Sequence, residues 1–597
     1  MKKQFIFIMM TFILCAISIS GTELTHGPIT GRASSRSMRI WVRTSEPAEF
    51  HIVYGETPEL TDESSSVSGK TLATNDNTGT VDITDLKPDT KYYYAVKLNE
   101  TLITEYGHRK EFPFFRTWLD SKKTFHKKHN PRGLCNLEFG VAFGNNINGI
   151  RKSPVYETIR KKHADDWAFF IMNGDYIYEY ARKKTPVPKY TLNTYRQDYK
   201  SYLEEVPDMA ALFQQVPMLF VFDDHELGPE QSTADIRYRV NKWSRKHVTQ
   251  PVLRDWGIKV WYEYCGWGTY DKPYYEPVYT GQASVSKGRD ILTDPKANFT
   301  QRRRNAMTTL HCHLHTKNAG VYGIKKILGP DKLRVTSRFQ HSESKMNYSI
   351  GTHHFYDFKY SNCHFFVLDA RSARTTFQYK LLKDPRQFIL GKRQLNWLVD
   401  GVKKSDADFI FIVSSVNWMV YHNASHMKGR AIKLSESPKE DGMSGALFER
   451  EKLLTAFDEV KKPVMILTGD LHSSFAIQIT DNVWEFMCGP IGSGLHPIES
   501  AGNPPFCGWF TPGGRKVKIK WVNSYPLALK DIYKKRPQGQ SRVYGIIKVN
   551  NVFPTGRNKN NKTIWTAYKA PQVIVQFRDA KTDELLYAEG ISMLDAE

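Results

Sequence analysis

The sequence has 597 residues, more than one hydrophobic core usually spans, so we expect two or more domains. Its 84 Lys and Arg against 62 Asp and Glu give a formal net charge of +22, which attracts nucleic acid, phosphorylated or sulfated polymers, and anionic surfaces. No zinc-finger or RNA-recognition signature accompanies this charge, so we expect nucleic acid at most as a substrate. Beyond the first twenty residues, no run of about 18 uncharged apolar residues predicts a transmembrane segment.

The first twenty residues predict a secretory signal. Lys2 and Lys3 precede the apolar stretch Phe5–Ile19, and small residues such as Ser20 give a cleavage point. The stretch is too short for a membrane span. We therefore expect a secreted or periplasmic protein from which a signal peptide, residues 1–20, is removed.

Six cysteines follow the signal segment, with no CxxC pair among them: Cys135, Cys265, Cys312, Cys363, Cys488 and Cys507. Export permits disulfides. Their pairing cannot be deduced from sequence, and it is left open here.

Residues 22–118 predict a β-sandwich domain. Apolar and polar residues alternate with period two in SMRIWVRT, EFHIVYG, TGTVDITDL and KYYYAVKL. The segment LKPDTKYYY, which begins at Leu86, resembles the L-x-P-x-T-x-Y-x-Y signature of fibronectin-type sandwiches. That signature specifies a fold and not a chemistry. A polar linker rich in Lys and His is expected at 119–134.

Residues 135–597 predict a layered α/β domain. Strand-like runs alternate with helix-like stretches such as Val155–His163 and Leu390–Lys403. Several runs are almost continuously apolar, as expected for parallel strands that are covered on both faces. The runs are LEFGVAFG, WAFFIMNGD, MLFVFDD, HFFVLDA, FIFIVSS and VMILTGD.

Residues 243–345 interrupt this pattern. They are rich in Arg, Lys, Tyr and His with little periodicity, which indicates an insertion or a set of loops. His311, His313 and His315 alternate in this stretch, so that on one face of a strand they would allow a zinc site. The simpler interpretation is a His-rich surface strand or loop.

Four of the strand-like runs end in polar residues. A single Asp in such a place commonly caps the next helix, but four such strand ends indicate a site, because sites gather beyond the carboxyl ends of strands in α/β proteins. Carboxylates and imidazoles without paired thiolates suit Fe, Mn, Zn, Ca or Mg. The residues are Asp175, Asp223, Asp224, His225, Asp369, Arg371, Asp470 and His472.

These residue types predict a metal-dependent ester hydrolase. Two cations can hold the attacking and the leaving oxygen of a displacement at phosphorus or sulfur. A carboxylate that bridges the metals and a His that protonates the leaving alkoxide would complete the site. The sequence has no HExxH motif, no P-loop, no G-x-S-x-G elbow and no formylglycine-type sulfatase motif.

Five segments, in this order, resemble the PhoD-like (alkaline phosphatase D) family of metallophosphatases. The resemblance implies a four-layer α/β/β/α metallophosphoesterase-like sandwich behind an N-terminal fibronectin- or Ig-like β-sandwich. It also implies hydrolysis of phosphate monoesters or diesters at a dinuclear centre. The segments are GDYIYE (Gly174–Glu179), FDDHELGPE (Phe222–Glu230), FVLDARSAR (Phe366–Arg374), LGKRQLNWL (Leu390–Leu398) and TGDLHSSFA (Thr468–Ala476).

The resemblance assigns the metal ligands. Asp175 resembles the bridging carboxylate, and Tyr178 resembles the phenolate ligand three residues later. Asp224 takes the place of the amide or carboxylate in a GNHE-type block. Asp470 and His472 resemble the last pair of ligands.

Three further residues receive catalytic or substrate-binding roles. His225 resembles the residue that contacts the phosphoryl group and acts as the acid. Arg371 is placed to neutralise an anionic oxygen, with a salt bridge to Asp369 as the alternative. Asn417, which follows the strand-like FIFIVSSV, is a further residue expected in the substrate pocket.

Asn146 marks a departure from the family. The family usually has a Ser-Cys pair after its first catalytic strand, with the Cys as a metal ligand, and this sequence has Asn145 and Asn146 there. An amide oxygen is neutral and hard, whereas a thiolate is anionic and soft. The exchange argues against a ferric ion and for a calcium-like or divalent site, a changed substrate, or one weak metal position.

Three functions therefore stand side by side. The first is hydrolysis of phosphate esters with two divalent or trivalent metal ions, chosen from Ca, Fe, Mn and Zn, on an anionic substrate such as a phosphorylated polymer. The second is removal of sulfate esters from a sulfated polysaccharide on the same scaffold. The third is non-catalytic binding of a polyanion.

Overall fold

The computed structural model describes residues 21–593, apart from 62, 107–109, 229–236, 240–246, 250, 271–276, 376, 423–440, 497–501, 503, 524–540 and 560. The expected signal segment, residues 1–20, lies outside these ranges. Within them, no helix has both the length and the apolar character that a membrane crossing needs.

Nine α-helices are described, and the two that the sequence predicts are confirmed. Helix α8 buries Leu395, Leu398 and Val402, the helical spacing of one apolar face. Helix α4 begins with a capping box in which Thr191 and Thr194 exchange hydrogen bonds. The helices are α1 Ser121–Thr124, α2 Ile147–Ile150, α3 Val155–His163, α4 Leu192–Glu205, α5 Pro207–Phe213, α6 Asp224–Leu227, α7 Val252–Tyr264, α8 Gly391–Lys404 and α9 Leu447–Glu459.

Thirty strands are described, and each of the six strand-like runs contains one of them. The strands are β1 Leu24–Gly31, β2 Met38–Thr44, β3 Glu49–Gly55, β4 Ser65–Lys70, β5 Thr78–Ile83, β6 Lys91–Leu98, β7 Thr101–Leu102, β8 Phe114–Arg116, β9 Leu137–Ala142, β10 Phe170–Asn173, β11 Met218–Val221, β12 Arg237–Arg239, β13 His247–Thr249, β14 Tyr279–Val285, β15 Ile291–Thr293, β16 Met307–Cys312, β17 Gly320–Gly329, β18 Lys332–Val335, β19 Glu343–Thr352, β20 Tyr356–Tyr360, β21 Cys363–Val367, β22 Phe409–Val413, β23 Val464–Thr468, β24 Phe475–Gln478, β25 Val483–Met487, β26 Gly508–Phe510, β27 Val517–Val522, β28 Val543–Arg557, β29 Thr563–Asp579 and β30 Leu585–Ser592.

Two large sheets dominate the fold. The first has nine strands in the order β30-β29-β28-β9-β10-β11-β1-β2-β5, and its strands β9, β10 and β11 are parallel. The second has eight strands in the order β20-β21-β22-β23-β25-β24-β27-β26, and β21, β22, β23 and β25 are parallel. The protein therefore has a mixed α/β fold with several sheets.

The N-terminal strands are divided between two sheets. Strands β3, β4, β6, β7 and β8 form a five-stranded sheet of their own. Strands β1, β2 and β5 instead extend the nine-stranded sheet, because β1 pairs with β11 in parallel at Gly31 and Met218. Backbone hydrogen bonding thus continues from the N-terminal segment into the sheet of the later domain, and a separate sandwich over 22–118 stays a prediction.

The two large sheets share one core. Successive residues of the central strands point to opposite faces, so Phe411 and Val413 of β22 lie against Phe139 of β9, while Ile410 and Ile412 face the other way. Helices α8 and α9 cover that outer face of the second sheet. Helices α3, α4, α5 and α7 cover the outer face of the first. Both faces of the parallel strands are therefore buried, in agreement with their continuous apolar sequences.

The stretch that lacked periodicity contains a closed barrel and not a set of loops. Strands β14–β19 close in the order β14-β15-β18-β17-β16-β19. His311 of β16 is fully buried, and its Nδ1 lies 2.6 Å from Asp255 Oδ2, while His313 lies next to Ser349 and His315 is exposed. Among the described residues, no group of potential metal ligands includes these histidines. The simpler interpretation, a His-rich surface strand or loop, was right that His311 lies on a strand but wrong about the surface, because this residue is in the core.

The six cysteines of the described ranges are free thiols. Cys507 is exposed and the other five are buried. Burial raises the pKa of Cys488 and of Cys363 above the usual thiol range. These buried cysteines act as small apolar core residues.

We expect that Phe411→Ala destabilises the protein by about 3–5 kcal/mol, because it leaves a cavity where the two sheets meet. The Phe411 ring lies 4.8 Å from that of Phe365 and 5.5 Å from that of Phe139. Chemical denaturation measures the loss. The control Phe125→Ala removes a ring that is 56% exposed and should change stability by less than about 0.5 kcal/mol. Equal effects of the two substitutions would contradict the shared core.

Candidate metal centre

The parallel strands of both sheets end at one place. Asp175 follows β10 of the first sheet, and Asp470 follows β23 of the second. Between them, the Asn173 side chain donates hydrogen bonds to the carbonyls of Ser414 (2.9 Å) and Leu467 (3.1 Å). This tie brings the polar strand ends of two different sheets together.

Two Gly-Asp pairs make the turns that follow these strands. Asp175 and Asp470 have φ of 50° and 69°, in the left-handed region that non-glycine residues rarely adopt. A Cβ at Gly174 would lie 2.9 Å from the Cβ of Asp223 and 3.0 Å from that of Ser415. Only glycine therefore permits this approach, and the strained aspartates point to a functional site.

Glu226 joins the first two motifs. One of its carboxylate oxygens accepts the backbone N–H groups of Tyr176 (2.5 Å) and Ile177 (3.2 Å), and the other accepts the N–H of Asp223 (2.7 Å). The side chain is fully buried. The segments GDYIYE and FDDHE are therefore held to one another by a carboxylate that makes no contribution to the metal-ligand groups described below.

Four carboxylates converge at the strand ends. One oxygen from each of Asp175, Asp223, Asp224 and Asp470 lies within 4.8 Å of the others, and all four residues are buried. At such separations each pair of like charges costs about 3–4 kcal/mol at an effective dielectric constant of about 20. Burial raises the pKa of Asp175 well above its usual range and that of Asp223 to about 8, and neighbouring carboxylates add to both shifts. These four carboxylates therefore require positive charge close by if they are to be ionised together.

Arg371 supplies part of this charge, and its partner differs from the expected one. The guanidinium binds both oxygens of Asp223 (2.6 and 2.7 Å) and lies 3.2 Å from Asp441 and 3.6 Å from Asp470. Asp369 instead accepts the backbone N–H of Arg371. The alternative of a salt bridge to Asp369 was therefore wrong in its partner, because the side chain of Arg371 turns inward to the larger group of carboxylates.

The donor atoms around Tyr178 fit a cation. The Tyr178 hydroxyl lies 2.9 Å from Asp175 Oδ2 and 3.0 Å from His472 Nε2. His472 Nδ1 donates to the Gly494 carbonyl (2.7 Å), and burial lowers the pKa of this His to about 4, so its Nε2 carries a lone pair at neutral pH. Asp175 Oδ1 is buried and accepts no hydrogen bond from the residues that the structure describes. One phenolic proton cannot satisfy all these acceptors, whereas a metal ion can.

The structure thus brings together five of the six residues that the sequence proposed as metal ligands, all except Asn146. All the donor atoms are oxygen or nitrogen, which suits hard or borderline cations. Two overlapping groups of residues have ligand atoms within 4.8 Å of one another. One group contains Asp175, Asp224 and His225, and the other contains the four aspartates. Tyr178 and His472 lie next to Asp175, at the edge of these groups. The residues that could hold two metal ions are therefore Asp175, Tyr178, Asp224, Asp470 and His472.

His225 stands at the open side of this group. Its Nδ1 lies 2.9 Å from Glu179, and its ring lies 4.2 Å from that of Tyr178. Burial lowers its pKa, but the carboxylates of Glu179, Asp224 and Asp175 act against it and bring the pKa well above the usual value. His225 lines a cavity of about 500 Å³. A proton is therefore held next to the carboxylate group, at the edge of open space.

The two asparagines have different surroundings. The Asn146 amide oxygen accepts the N–H of Asn148 (3.0 Å) and caps α2, and the residue lines the same cavity as Tyr178 and His225. Asn417 is fully buried, and its amide nitrogen donates to the Val420 carbonyl in its own loop. A metal contact of Asn146 and a substrate contact of Asn417 stay predictions.

Four residues of the site received no role from the sequence. Asp223 was among the strand-end residues that indicated the site, and Glu179 lies inside the motif GDYIYE, where its charge and position could have identified it. His422 and Asp441 form a further group of potential ligands with Asp470, and His422 Nδ1 lies 2.8 Å from that carboxylate. They flank residues 423–440, and no strand-end pattern marks them in the sequence.

Comparisons with known proteins identify the family that the sequence matches. The sequence matches the family described as PhoD-like phosphatase over residues 139–268 and 342–505. Residues 21–115 match a domain of unknown function, DUF7800. No curated protein matches the sequence.

Two solved structures match the chain, and the first of them is similar in fold. One, described as the structure of PhoD, is 14% identical with a TM-score of 0.53, and the match covers 95% of this chain and 91% of that one. The other is purple acid phosphatase PPD1 from yellow lupin (Lupinus luteus) seeds, at 10% identity and a TM-score of 0.46, with 95% and 75% covered. The comparisons give no support to a sulfatase. Through residues 139–268 and 342–505, the chain belongs to the PhoD-like phosphatase family.

Proposed function

We propose that the protein is a metal-dependent hydrolase of phosphate esters. The observation that carries the proposal is the convergence of four buried carboxylates within 4.8 Å, next to the unprotonated Nε2 of His472. The family match supports phosphorus over sulfur as the reacting centre. The net charge of +22 supports an anionic substrate.

The metal-binding residues have separate tasks. Asp175 lies between the donor groups of Tyr178 and Asp224, so it is suited to bridge two cations. Asp224 and Asp470 contribute further carboxylate oxygens, and Tyr178 and His472 contribute a phenolic oxygen and an imidazole nitrogen. Two cations, chosen from Ca, Fe, Mn and Zn, would supply Lewis-acid charge that polarises the phosphorus–oxygen bonds.

Arg371 is best interpreted as a positioning residue. Its guanidinium is fully buried and binds Asp223 with two hydrogen bonds, which fixes the orientation of that carboxylate. The Ser415 hydroxyl donates to the same Asp223 (2.8 Å). Direct contact of Arg371 with a substrate oxygen, the role given to it from sequence, stays a prediction.

His225 is the proposed general acid. Glu179 occupies its Nδ1, which leaves Nε2 to give a proton to the departing alkoxide. Arg182 donates to the backbone carbonyl of His225 (2.7 Å) and is itself paired with the buried Asp198. The imidazole is therefore oriented both through its ring and through its backbone.

The arrangement of domains and the location are also proposals. We propose a four-layer α/β/β/α catalytic domain over 135–597 with an insertion around 243–345, a linker at 119–134 and a β-sandwich over 22–118. The shared core of the two large sheets and the helices on their outer faces support the layers. The charged and apolar pattern of residues 1–20 supports a secreted or periplasmic protein.

The first test measures metal content and ester specificity together. We expect about two metal ions per chain, chelator-sensitive hydrolysis of an aryl phosphate or a bis-aryl phosphate, and slower release of sulfate from the matching aryl sulfate. Asp175→Ala should lower activity and metal affinity more than about 100-fold, because it removes a ligand common to both cations. Elemental analysis and initial rates give the two readouts.

The matched control is Asp481→Ala, which removes an exposed carboxylate in a turn and should leave both readouts unchanged. Chelation should also lower the unfolding midpoint of the wild type but not of Asp175→Ala, since a bound ion stabilises the folded state. Absence of turnover with every metal supplement would overturn the enzyme proposal. Faster sulfate release would overturn the choice of phosphate.

The acid role of His225 predicts a dependence on the leaving group. His225→Asn should slow hydrolysis of an alkyl phosphate by about 100- to 10,000-fold, because an alkoxide needs a proton to depart. The rate for a 4-nitrophenyl ester should fall much less, since nitrophenolate departs without a proton. Glu179→Gln should also slow the alkyl ester more than the 4-nitrophenyl ester, but by less than His225→Asn does. Equal losses for both esters would contradict the assignment.

The position of Asn146 predicts a change of metal preference. Asn146→Cys places a soft, anionic donor beside Tyr178, so bound metal should shift away from calcium and toward iron or zinc. Competition between Ca²⁺ and Zn²⁺ followed by elemental analysis measures the shift. Asn148→Cys is the control, because it puts the same thiol on an exposed position of the same turn. Identical metal content in both variants would exclude Asn146 as a ligand.

A further inference from the structure

A cavity opens directly beside the metal centre. It has a volume of about 500 Å³, and Tyr178 and His225 form the part of its wall that adjoins the carboxylate group. The opposite wall is the segment from Tyr180 to Tyr190. If the phosphoryl group lies at the carboxylates, as the proposed function requires, the alcohol part of the ester has this neighbouring space to occupy.

The segment from Tyr180 to Tyr190 is held in place by polar contacts, some of them buried. The Tyr180 hydroxyl donates to Glu205 (3.0 Å). The buried carboxylate of Asp198 accepts the backbone N–H groups of Ala181 (2.6 Å) and Arg182 (3.2 Å), and it also pairs with the Arg182 side chain. The segment is therefore preorganised, which is a requirement for a wall that selects among ligands.

The lining combines apolar surface with one exposed amine. Ile147, Val187 and the Tyr190 ring give the cavity its apolar and aromatic part. Lys183 is exposed and lines the same space, and it pairs with no carboxylate among the described residues. Glu179, the acidic residue of this lining, is already bound to His225. Within the described part of the chain, Lys183 thus leaves a positive charge at the cavity that no carboxylate neutralises.

We propose that this cavity is the subsite for the alcohol part of the ester, and that Lys183 selects alcohols that carry a negative charge beside an apolar or ring-shaped part. The inference rests on the proposed function and narrows its substrate class. An amine at the border of an apolar cavity attracts a carboxylate or phosphate on the departing alcohol. The same amine gives a neutral alcohol no comparable contact.

The test compares two esters that differ in one charged group. Phenyl phosphate and 4-carboxyphenyl phosphate have the same reacting centre, and only the second carries a negative charge on its alcohol. Lys183→Ala should lower kcat/KM for 4-carboxyphenyl phosphate about tenfold, mainly through KM, and should leave phenyl phosphate unchanged. Lys183→Glu should reverse the preference in favour of 4-(aminomethyl)phenyl phosphate.

Lys184→Ala is the matched control, since Lys184 is an exposed lysine next in sequence that does not line the cavity. It should leave both rates unchanged. Equal losses for the two esters in Lys183→Ala, or no loss for either, would overturn the role of Lys183 while the proposed function stands. Wild-type protein that hydrolyses neither ester would overturn the proposed function and this inference with it.

Discussion

Mutual repulsion among four buried aspartates is the constraint on which the rest of this structure depends. Their ligand oxygens lie within 4.8 Å of one another, in a place where burial already disfavours charge. Arg371 offsets part of the negative charge, and the oxygen and nitrogen atoms around Tyr178 are donors that suit cations able to offset the remainder. Bound cations would therefore both relieve this repulsion and supply the chemistry of the proposed function.

Such a group of like charges can persist only on a rigid support. The two large sheets supply it, because their parallel strands share one core and end side by side. Asn173 ties the two sheets at that edge, and Glu226 fixes two motif segments through three backbone N–H groups. The left-handed conformations of Asp175 and Asp470 show the local strain that this support maintains.

The site is asymmetric, and its two sides suit different tasks. The inner side consists of buried carboxylates and Arg371, which fix geometry and charge. The outer side presents His225, the Tyr178 ring and the cavity that Lys183 borders. In the proposed function, chemistry at phosphorus belongs to the inner side, and in the further proposal recognition of the alcohol belongs to the outer side. The wall from Tyr180 to Tyr190 is then separate from the residues proposed to hold the metal ions.

The sequence by itself determined the elements and the chemistry of the centre. Apolar runs that end in Asp or His predicted the central strands and the metal-ligand types, because burial on both faces and strand-end polarity are local patterns. Only the tertiary structure decided which residues and strands pair with one another. Asp223 and Arg371 are 148 positions apart, β1 joins β11 of a later domain, and a barrel closes within a stretch without periodicity. Such pairings depend on how elements pack across long separations, which no local pattern records.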